Sequence, residues 1–425
     1  MGTIQAVKGT RDFYPEDLAF RRWLYERIRQ VSEAYGYEEY DGPFLERLDL
    51  YAARSGEELV RKQSFVFADR GGEMIALRPE LTPSLARMVA MRSKRLPRPL
   101  RWWSFGPFWR YERPQQGRAR EFFQWNIDLL GVDTPEADAE IAAIAGALFK
   151  AVGLGPDKVQ ILVNDRRLAE RQLSRMGIEP EKRTQVFHLI DGRDRMSEAE
   201  WNRQAAELGL ETQTVEELDS TLEDREAWKD SAELTAFFAA TEALGVGGAV
   251  HYDPSVVRGL DYYTGIVFEA RDTSGEFRAI LGGGRYDKLV SDVGGEPIPA
   301  TGFAMGDMVI HLLMKKTGVS PAIQSKPTQV LVPSFDMDSM GEALKLSTEL
   351  RASGLRTEWY PTAVRLSTQL KYADRHGIPL AAIIGPDEIG TSSVTIKDLR
   401  NGVQENVPRS QAGARLVEMA SGAGG

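Results

Sequence analysis

The sequence predicts a multidomain protein that combines α/β and α+β architecture, and three observations support this fold class. The 425 residues, 42% of them hydrophobic and 27% charged, have the composition of a globular protein and the length of two or three domains. From Arg166 to about Gly248 the chain is polar, acidic and helix-forming, and strand patterns lie on both sides of this segment. After residue 328 strands alternate with helices, which indicates a mostly parallel sheet in a small domain of its own.

The first 165 residues contain helix and strand patterns in succession. A helix is predicted at 17–34, where apolar residues recur at helical spacing. Residues 65–77 predict a hairpin, and the corner that follows at 78–83 carries a carboxylate and a hydroxyl before the next helix begins. An alanine-rich helix at 135–152 and a short buried strand at 159–163 complete this part.

Residues 110–128 are the most informative segment, because they interleave arginines with a carboxylate, aromatic side chains and amides. Side chains alternate along a strand, so Arg110 and Glu112 are expected to share one face of a first strand. One face of a second strand is expected to carry Phe122, Gln124, Asn126 and Asp128. The turn between them is basic and contains Arg113, Pro114, Gly117, Arg118 and Arg120. Guanidinium groups bind phosphate oxygens bidentately and stay charged, which predicts a nucleoside triphosphate site that could also contact nucleic acid.

Strand patterns return after the helical segment, at 249–252, 265–271 and 277–281. Between them, residues 258–265 place a guanidinium, a carboxylate and two tyrosines beside glycines, which let the backbone approach a ligand closely. Residues 281–287 are expected to form a strand end, a flexible turn of three glycines and an Arg-Tyr-Asp group. Neither a Walker loop nor a dinucleotide fingerprint occurs, so side chains rather than a helix N-terminus would hold a triphosphate.

Composition excludes several kinds of site and location. The chain has no cysteine, which excludes disulfides and thiolate metal sites, and its four scattered histidines form no zinc-type cluster. No run of about 18 apolar residues occurs, so we expect a cytoplasmic protein without a membrane segment. The formal net charge of −9 argues weakly against a nucleic-acid partner. Residues 92–101, however, contain five basic residues and no acid, and a solvated loop and a nucleic-acid contact explain this run about equally well.

These patterns divide the chain into five parts. The C-terminal pattern consists of strands at 329–332, 356–359 and 380–384 and helices at 338–353 and 368–375. The stretch before it, which contains Pro, Ser and Lys, is the clearest linker. The predicted organisation is a core of 1–165 and 249–314, a helical insertion at 166–248, a linker at 315–327, a C-terminal domain at 328–415 and a disordered tail at 416–425.

Together these segments resemble the histidyl-tRNA synthetases, a family of class II aminoacyl-tRNA synthetases, over nearly the whole chain. The resemblance begins with Lys-Gly-Thr-Arg-Asp-Phe-Tyr-Pro at 8–15, and Arg-Gly-Leu-Asp-Tyr-Tyr at 258–263 is highly specific to that family and its close relatives. Residues 35–50 are similar to motif 1, which makes the dimer interface, and the hairpin at 110–128 is similar to motif 2. The resemblance implies a class II antiparallel-sheet catalytic core with a helical insertion. It also implies a C-terminal α/β domain of the anticodon-binding type, to which 394–402 are similar.

The resemblance also implies roles for individual residues in binding histidine. Glu80 and Thr82 would take the α-ammonium group, and Gln124 would hold the carboxylate end. Asp128 and Tyr263 would receive the two edges of the imidazole, because a neutral imidazole has one donor and one acceptor nitrogen. Two further residues would complete the histidine site, namely Arg258 and Tyr286.

For ATP, the resemblance implies cationic and aromatic contacts. Arg110 and, across from it, Arg258 would pair with the α-phosphate and would be the catalytic residues. Glu112 would approach the adenine, on which Phe122 would stack, while Arg118 would contact the distal phosphates. The turn residues that would reach the acceptor end of the tRNA are Gln115 and Arg120.

One departure from the family pattern concerns motif 3. The family usually has Gly-Phe-Ala-x-Gly-Leu-Glu-Arg, whereas residues 302–309 read Gly-Phe-Ala-Met-Gly-Asp-Met-Val. Val309 therefore replaces an arginine that packs over adenine, and a cation in such a position is worth roughly 0.5–2 kcal/mol. We expect weaker ATP binding without loss of catalysis, because the glycines of the motif remain. Leu81 likewise stands where the family commonly has glycine.

The implied activity is ATP-dependent activation of L-histidine to histidyl-adenylate and its transfer to the 3′ end of tRNA(His), by a homodimer that uses ATP with Mg²⁺. The alternative is a non-catalytic, histidine-sensing regulatory subunit of ATP phosphoribosyltransferase, which resembles the same core. That class generally lacks the C-terminal domain, and the presence of Arg110, Arg118 and Arg258 favours an enzyme. A class II synthetase for another amino acid conflicts with the pair Asp128 and Tyr263.

Overall fold

The computed structural model describes residues 3–52, 63–258, 262–277, 279–323, 326–337 and 339–421. The chain forms two compact units, one of residues 1–12 and 21–321 and the other of residues 13–20 and 322–425. Within the described ranges, no helix is both long and apolar enough to cross a bilayer.

The helices up to Lys316 are α1 (Pro15–Ala34), α2 (Leu48–Ala52), α3 (Thr82–Arg92), α4 (Pro135–Ala151), α5 (Arg166–Arg175), α6 (Pro180–Gly192), α7 (Glu198–Glu207), α8 (Thr212–Glu223), α9 (Ala232–Ala243), α10 (Leu289–Asp292) and α11 (Asp307–Lys316). The strands are β1 (Glu38–Glu39), β2 (Leu45–Arg47), β3 (Val66–Ala68), β4 (Met74–Leu77), β5 (Leu100–Trp109), β6 (Glu121–Leu130), β7 (Val159–Asp165), β8 (Val250–Tyr252), β9 (Ile266–Asp272), β10 (Leu281–Arg285) and β11 (Ala300–Gly306). The helices predicted at 17–34 and 135–152 are therefore confirmed.

An eight-stranded sheet forms the centre of the first unit, in the order β1-β5-β6-β11-β10-β9-β7-β8. Its pairings are antiparallel except at the two ends, where β1 pairs with β5 and β7 pairs with β8 in parallel. Strands β6 and β11 pair so that Gln124 lies opposite Gly306 and Asp128 lies opposite Gly302. The antiparallel-sheet core that the resemblance implies is confirmed.

Helix α4 packs against the middle of this sheet and contacts β6, β7, β9 and β11. The side chain of Thr134 caps the helix by accepting a hydrogen bond from the N–H of Ala137 (3.4 Å). Ile141, Ile144 and Leu148 are fully buried, and burial of each such side chain contributes about 1.5–3 kcal/mol. Helix α4 thereby supports the strands that carry the candidate site.

A second, smaller sheet has the strand order β2-β4-β3. Its strands β3 and β4 form the hairpin predicted at 65–77. Its turn includes Gly72, whose φ of +87° is in the left-handed region that favours glycine. The hairpin prediction is confirmed, and its second strand leads directly into the corner before α3.

The segment 166–248 is helical, as predicted, and consists of α5 to α9 with short 3-10 turns between them. Asp165 begins this segment by capping α5, because its Oδ1 accepts a hydrogen bond from the N–H of Arg167 (2.8 Å). The insertion has its own apolar cluster, in which Trp201 is fully buried beside Phe187 and Leu218.

The second unit contains β12 (Val330–Val332), α12 (Met340–Ala352), β13 (Thr357–Trp359), α13 (Leu366–Arg375), β14 (Leu380–Ile383), α14 (Pro386–Thr391), β15 (Ser393–Asp398), β16 (Gln404–Pro408) and α15 (Arg409–Ser421). Its sheet has the order β13-β12-β14-β15-β16, with β12 parallel to both neighbours and β15 antiparallel to both of its own. The sheet is mixed rather than mostly parallel as predicted. Strand β15 is antiparallel to β14 although α14 lies between them, and a short turn joins β15 to β16, which only antiparallel strands can use.

Two predictions about the ends of elements are wrong. The sequence predicts a disordered tail from residue 416, whereas α15 extends to Ser421 because Leu416 is fully buried in the core of the second unit. The linker predicted from residue 315 begins later, since α11 continues through Lys316. Residues 324–325 of that linker, residue 338 at the predicted helix start, and residues 422–425 lie outside the described residues.

The strand predicted at 277–281 is also misplaced. Strand β10 begins at Leu281, so Gly282, Gly283 and Gly284 lie inside a buried strand rather than in a flexible turn. The reason is steric, because a Cβ atom on Gly283 would lie 2.2 Å from the carbonyl oxygen of Gly302 on β11. Only glycine allows these strands to approach so closely. Residue 278 lies outside the described residues.

Candidate active site

A buried arginine holds the corner between β4 and α3. Arg78 is fully buried, and its guanidinium carbon lies 4.6 Å from the ring centres of both Phe44 and Phe108. The corner is therefore fixed, with Glu80 buried two residues before Thr82, which is the first residue of α3. The carboxylate and hydroxyl that the sequence predicts for an ammonium group share this corner.

The first strand of the hairpin formed by β5 and β6 ends earlier than the sequence predicts. Strand β5 ends at Trp109, and the N–H of Tyr111 donates to the carbonyl oxygen of Gln63 (2.6 Å) instead of to the partner strand. Arg110 and Glu112 therefore lie in the loop, and the prediction that they share a strand face is wrong. On β6 the predicted alternation is present, with one face formed by Phe122, Gln124, Asn126 and Asp128.

Within the loop, the predicted ATP residues contact one another. Arg110 donates from Nε to the carbonyl oxygen of Pro79 (2.9 Å), and its guanidinium carbon lies 5.3 Å from the centre of the Phe122 ring. Arg118 forms an ion pair with Glu112 through Nε and Oε2. The loop thus brings together the aromatic ring, the carboxylate and two cations that the sequence predicts for a nucleotide.

A cavity of about 750 Å³ opens between this hairpin, strands β9 to β11 and the end of α6. Its size falls within the range of about 300–1,000 Å³ typical of small-molecule sites. Seven of the residues singled out from the sequence line it, namely Arg110, Glu112, Arg118, Phe122, Gln124, Arg258 and Val309.

The other residues predicted to bind histidine form a buried cluster of tyrosines and acids. The hydroxyl of Tyr286 donates to Oδ1 of Asp128 (2.5 Å), and both side chains are buried. Burial raises the pKa of Asp128 to about 7, and the hydrogen bond from Tyr286 offsets only part of that effect. The Tyr262 ring lies 4.8 Å from the Tyr263 ring and 6.0 Å from the Tyr286 ring. Burial also raises the pKa of Tyr263, and the charges of Glu80 and Asp128 contribute, so these groups surround one small space.

Arg258 has a left-handed backbone conformation (φ +55°), which is strained for any residue except glycine. A Cβ atom on Gly282 would lie 2.2 Å from its Nη2, so the guanidinium rests on bare glycine backbone. Its Nη1 pairs with Oε2 of Glu269, a residue of β9 that lies opposite Gly282 of β10. Burial opposes the charge on Arg258, but Glu269 raises its pKa above the ordinary value. Residues 259–261 of the same motif lie outside the described residues.

Several buried polar atoms around this space have no hydrogen-bond partner among the residues that the structure describes. They are Gln124 Oε1, Asn126 Nδ2, Asp128 Oδ2 and Arg258 Nε. A buried polar atom without a partner costs roughly 1–3 kcal/mol, and native proteins keep few of them. Two acceptors and two donors of this buried region are thus available to a small polar ligand.

The two residues predicted at the tRNA end belong to the open end of the hairpin, outside the residues that line the cavity. Gln115 and Arg118 exchange backbone hydrogen bonds across the turn (3.0 and 2.9 Å). The guanidinium carbon of Arg120 lies 4.0 Å from the ring centre of Tyr111, which is 52% exposed. The backbone N–H of Arg120 donates to the carbonyl oxygen of Gly9 (2.8 Å), which ties the turn to the N-terminal segment.

The departures from the family pattern in motif 3 make internal contacts. A Cβ atom on Gly117 would lie 3.3 Å from Cγ2 of Val309, so the valine lies against the turn of the hairpin. Asp307 is buried and accepts hydrogen bonds from the N–H of Phe123 (3.0 Å) and from Nη2 of Arg11 (2.9 Å). Burial raises the pKa of Asp307, against the effect of Arg11.

Sequence reasoning missed a set of charged residues that line the same cavity. They are Glu269 and Arg271 on β9 together with Asp191, Asp194 and Arg195 at the end of α6. The sequence contains a signal for the first two, since they are charged residues at alternate positions, and therefore on one face, of the otherwise apolar stretch 266–271. No local pattern in the sequence indicates the cavity residues of the insertion, because their place in the cavity depends on the position of α6 relative to β9.

Comparisons with known proteins identify the family of this chain. Residues 9–308 match the family model described as histidyl-tRNA synthetase, and residues 329–419 match that of an anticodon binding domain. A histidine-tRNA ligase from Leptospira biflexa is 35% identical over 98% of this chain and 98% of its own. Another, from Thermoplasma volcanium, is 40% identical over 95% of this chain and 96% of its own. The crystal structure of histidyl-tRNA synthetase from Nostoc sp. PCC 7120 has the same fold, with a TM-score of 0.80 at 24% identity over 99% of this chain and 100% of that one. The chain therefore belongs to the histidyl-tRNA synthetase family.

Proposed function

We propose that this protein is a histidine-tRNA ligase, which activates L-histidine with ATP and transfers it to the 3′ end of tRNA(His). The observation that carries the proposal is a set of buried donors and acceptors on β6 and Arg258 that have no partner in the described part of the chain, next to a cavity lined by arginines. Histidine offers an ammonium, a carboxylate and an imidazole, whose donors and acceptors complement that set. Similarity over nearly the full length to proteins named histidine-tRNA ligase supports the same activity.

For histidine, we propose the contacts that the resemblance implies. Glu80 and Thr82 receive the α-ammonium group, Gln124 receives the carboxylate, and Arg258 completes the histidine site from its position at the α-phosphate. Tyr286 already donates to Oδ1 of Asp128, so Oδ2 is the oxygen that would accept an imidazole N–H. The remaining residue of the imidazole site is Tyr263. A site that recognises its ligand through buried hydrogen bonds discriminates against an apolar analogue by a factor of about 10⁴–10⁵ in kcat/KM, because the polar groups of the site would be left unpaired.

For ATP, we propose that adenine stacks on Phe122 and that the triphosphate extends along the arginines of the cavity. The ion pair of Arg118 and Glu112 would separate on binding, which would free the cation for the distal phosphates and the carboxylate for the adenine amino group. Mg²⁺ would accompany the nucleotide, since this ion is usually held by one or two carboxylates plus substrate phosphates. Among the described residues, no group of three or more His, Asp or Glu residues is arranged to hold a metal by itself.

In the proposed first step, the histidine carboxylate attacks the α-phosphorus in line and pyrophosphate leaves. Arg110 and Arg258 would offset the charge that develops on the nonbridging oxygens. Removal of one such preorganised donor typically costs about 10²–10³ in rate. In the second step a hydroxyl of the terminal ribose attacks the carbonyl carbon of the adenylate and AMP leaves. Gln115 and Arg120, at the open end of the hairpin, would hold the acceptor end of the tRNA.

We also propose that the protein is a homodimer and that it is cytoplasmic, where its three substrates meet. The small sheet and the segment similar to motif 1 expose four large apolar side chains, each between 45% and 48% exposed: Phe44, Leu45, Phe67 and Met74. Exposed apolar side chains concentrated in one small element are typical of a protein interface. This observation supports dimerisation through motif 1.

A histidine-sensing regulatory subunit of ATP phosphoribosyltransferase is less well supported. Such subunits generally lack the C-terminal domain, whereas residues 329–419 match an anticodon binding domain. The cavity also retains three arginines suited to phosphates, which a sensor of histidine alone does not need: Arg110, Arg118 and Arg258.

Histidine-dependent ATP-pyrophosphate exchange with the purified protein tests the proposal. We expect exchange with L-histidine and none above background with other amino acids. The Arg258→Ala variant should lose nearly all exchange and keep most of its histidine affinity, measured by calorimetry. Arg203→Ala, an exposed arginine that pairs with Glu200 and Glu207 on α7, is the control and should retain exchange. A wild-type protein that binds histidine without exchange would support the regulatory alternative, and full activity of Arg258→Ala would refute the mechanism.

A further inference from the structure

Four charged residues of alternating sign form a continuous chain along one wall of the cavity. Nη1 of Arg258 pairs with Oε2 of Glu269, and Oε1 of Glu269 accepts from Nε of Arg271 (2.5 Å). Nη1 of Arg271 in turn pairs with Oδ2 of Asp194 (2.5 Å), which belongs to the helical insertion. All four residues line the cavity. The chain thus runs from the cation assigned to the α-phosphate to a separate helical part of the protein.

Glu269 is the best-anchored member of this chain. Its side chain is 9% exposed, and both carboxylate oxygens are engaged by arginines. It lies in the middle of β9, opposite Gly282 on β10 and Leu162 on β7, so its backbone is held from both sides. Arg258, in contrast, lies outside any strand on strained backbone. The position of the guanidinium is therefore set mainly by a carboxylate on a rigid element, as preorganised sites require.

The far end of the chain is fixed to the insertion. Asp194 belongs to the short 3-10 turn Arg193–Arg195 that follows α6. In the same turn, the guanidinium carbon of Arg193 lies 4.9 Å from the ring centre of Trp201, which is fully buried in the core of the insertion. A movement of that core would carry Asp194 with it and would act on Arg271 and Glu269.

We propose that Glu269 is a positioning residue for Arg258, and that Arg271 and Asp194 couple this position to the placement of the helical insertion. The inference rests on the proposed function, because it assumes that Arg258 acts on the α-phosphate. In this scheme Glu269 touches neither the reacting atoms nor the leaving group in the first step. It acts by holding the guanidinium where charge develops, and the insertion acts through the same carboxylate.

Removal of the Glu269 charge should separate turnover from binding. Glu269→Gln takes one negative charge from a cavity that must accept a polyanion, so the KM for ATP should stay the same or fall. The guanidinium would lose its charged anchor, and a displacement of about 1 Å at a reacting centre costs about 10²-fold. We therefore expect kcat for exchange to fall by about 10- to 100-fold. A purely structural role would lower stability or raise KM without this split.

The experiment measures kcat and the KM for ATP in histidine-dependent pyrophosphate exchange on the full-length protein. Glu269→Asp keeps the charge and should recover part of the loss of Glu269→Gln. Asp194→Asn and Arg271→Gln should each lower kcat by a few-fold, and the double variant should be no worse than the poorer single variant, because both break the same link. Arg203→Gln removes an exposed ion pair elsewhere in the insertion and should leave kcat unchanged.

Wild-type kcat in a folded Glu269→Gln variant would overturn the inference, provided that Arg258→Ala is inactive in the same assay. Activity in Arg258→Ala, or no exchange by the wild type, would instead refute the proposed function. If Glu269→Gln does not fold, the variants of the partly exposed ion pair between Arg271 and Asp194 test the inference instead. Wild-type kcat in both Asp194→Asn and Arg271→Gln would then overturn the coupling, as would losses that simply add in the double variant.

Discussion

One added methyl group at Gly282 would test whether Arg258 must rest on bare backbone. A Cβ atom there would lie 2.2 Å from Nη2, 2.3 Å from Cζ and 2.5 Å from Nη1 of Arg258, and these are the three nearest atoms. Gly282 does not have a left-handed φ, so alanine can adopt its backbone conformation without strain. Gly282→Ala should therefore act on the guanidinium while leaving the strand in place.

The size of the effect follows from the contact distances. Ordinary van der Waals contact with a Cβ atom begins at 3.4 Å, so Cζ must move from 2.3 Å to at least that distance, a shift of about 1.1 Å. A misplacement of about 1 Å at a reacting centre costs about 10²-fold in rate. This factor corresponds to about 2.7 kcal/mol of transition-state stabilisation. We therefore expect kcat for histidine-dependent exchange to fall about 100-fold in Gly282→Ala.

The assay is pyrophosphate exchange at saturating histidine and ATP, with thermal unfolding measured on the same preparations. Gly248→Ala is the control, because a Cβ atom there would meet no atom within 4 Å and the residue does not have a left-handed φ. It should keep its exchange rate within about twofold, as surface changes away from special features usually do. A folded Gly282→Ala protein with wild-type exchange would show that the observed position of Arg258 is not the one used in the reaction.

Two further predictions concern buried acids. Because burial raises the pKa of Asp128 from 3.8 to about 7, this group adds stability at low pH that is lost as the pH rises through about 7. Asp128→Asn should therefore raise Tm more at pH 8 than at pH 5 in calorimetry, while histidine binding weakens; equal gains at both pH values would contradict this. Arg11→Ala leaves the buried Asp307 without its nearest cation and should lower the free energy of unfolding in urea by about 2–4 kcal/mol. Adding Asp307→Asn should restore part of that loss, and additive losses would exclude the pair as the cause.

Local geometry explains which parts of the site the sequence can predict. The alternation of Phe122, Gln124, Asn126 and Asp128 on β6 follows from the two-residue period of any strand, so it is visible in the sequence. The end of β5 is not visible, because it depends on the hydrogen bond from Tyr111 to the distant Gln63. The meeting of Glu80, Asp128 and Tyr263 around one space likewise depends on the sheet order, and only the resemblance to a known family anticipates it.

The C-terminal sheet shows the same limit. Alternation of strands and helices predicts parallel pairs, and β12 is indeed parallel to β13 and β14. Strand β15 departs from this rule, because it is antiparallel to β14 although α14 lies between them. The last two strands have no helix between them, and the hairpin they form is antiparallel. The wrong prediction of a tail has a similar cause, because Leu416 on α15 is buried in a core built by residues from the whole unit, which no local pattern shows.

The three glycines of β10 illustrate why a site can contradict local propensity. Glycine in a strand costs about 0.5–1 kcal/mol relative to alanine, so these residues are read from the sequence as a turn. In the structure each missing side chain makes room for something specific. A Cβ atom on Gly282 would meet Arg258, one on Gly283 would meet the carbonyl oxygen of Gly302, and one on Gly284 would lie 2.6 Å from the carbonyl oxygen of Ile266. On β11, a Cβ atom on Gly302 would lie 2.3 Å from Oδ1 of Asp128. The guanidinium of Arg258 and the carboxylate of Asp128 thus pack directly against the glycine backbone of β10 and β11. Glycine lowers the stability of the strand at the positions where the two substrates are proposed to meet. Gly282→Ala should therefore lower the exchange rate while the fold remains stable.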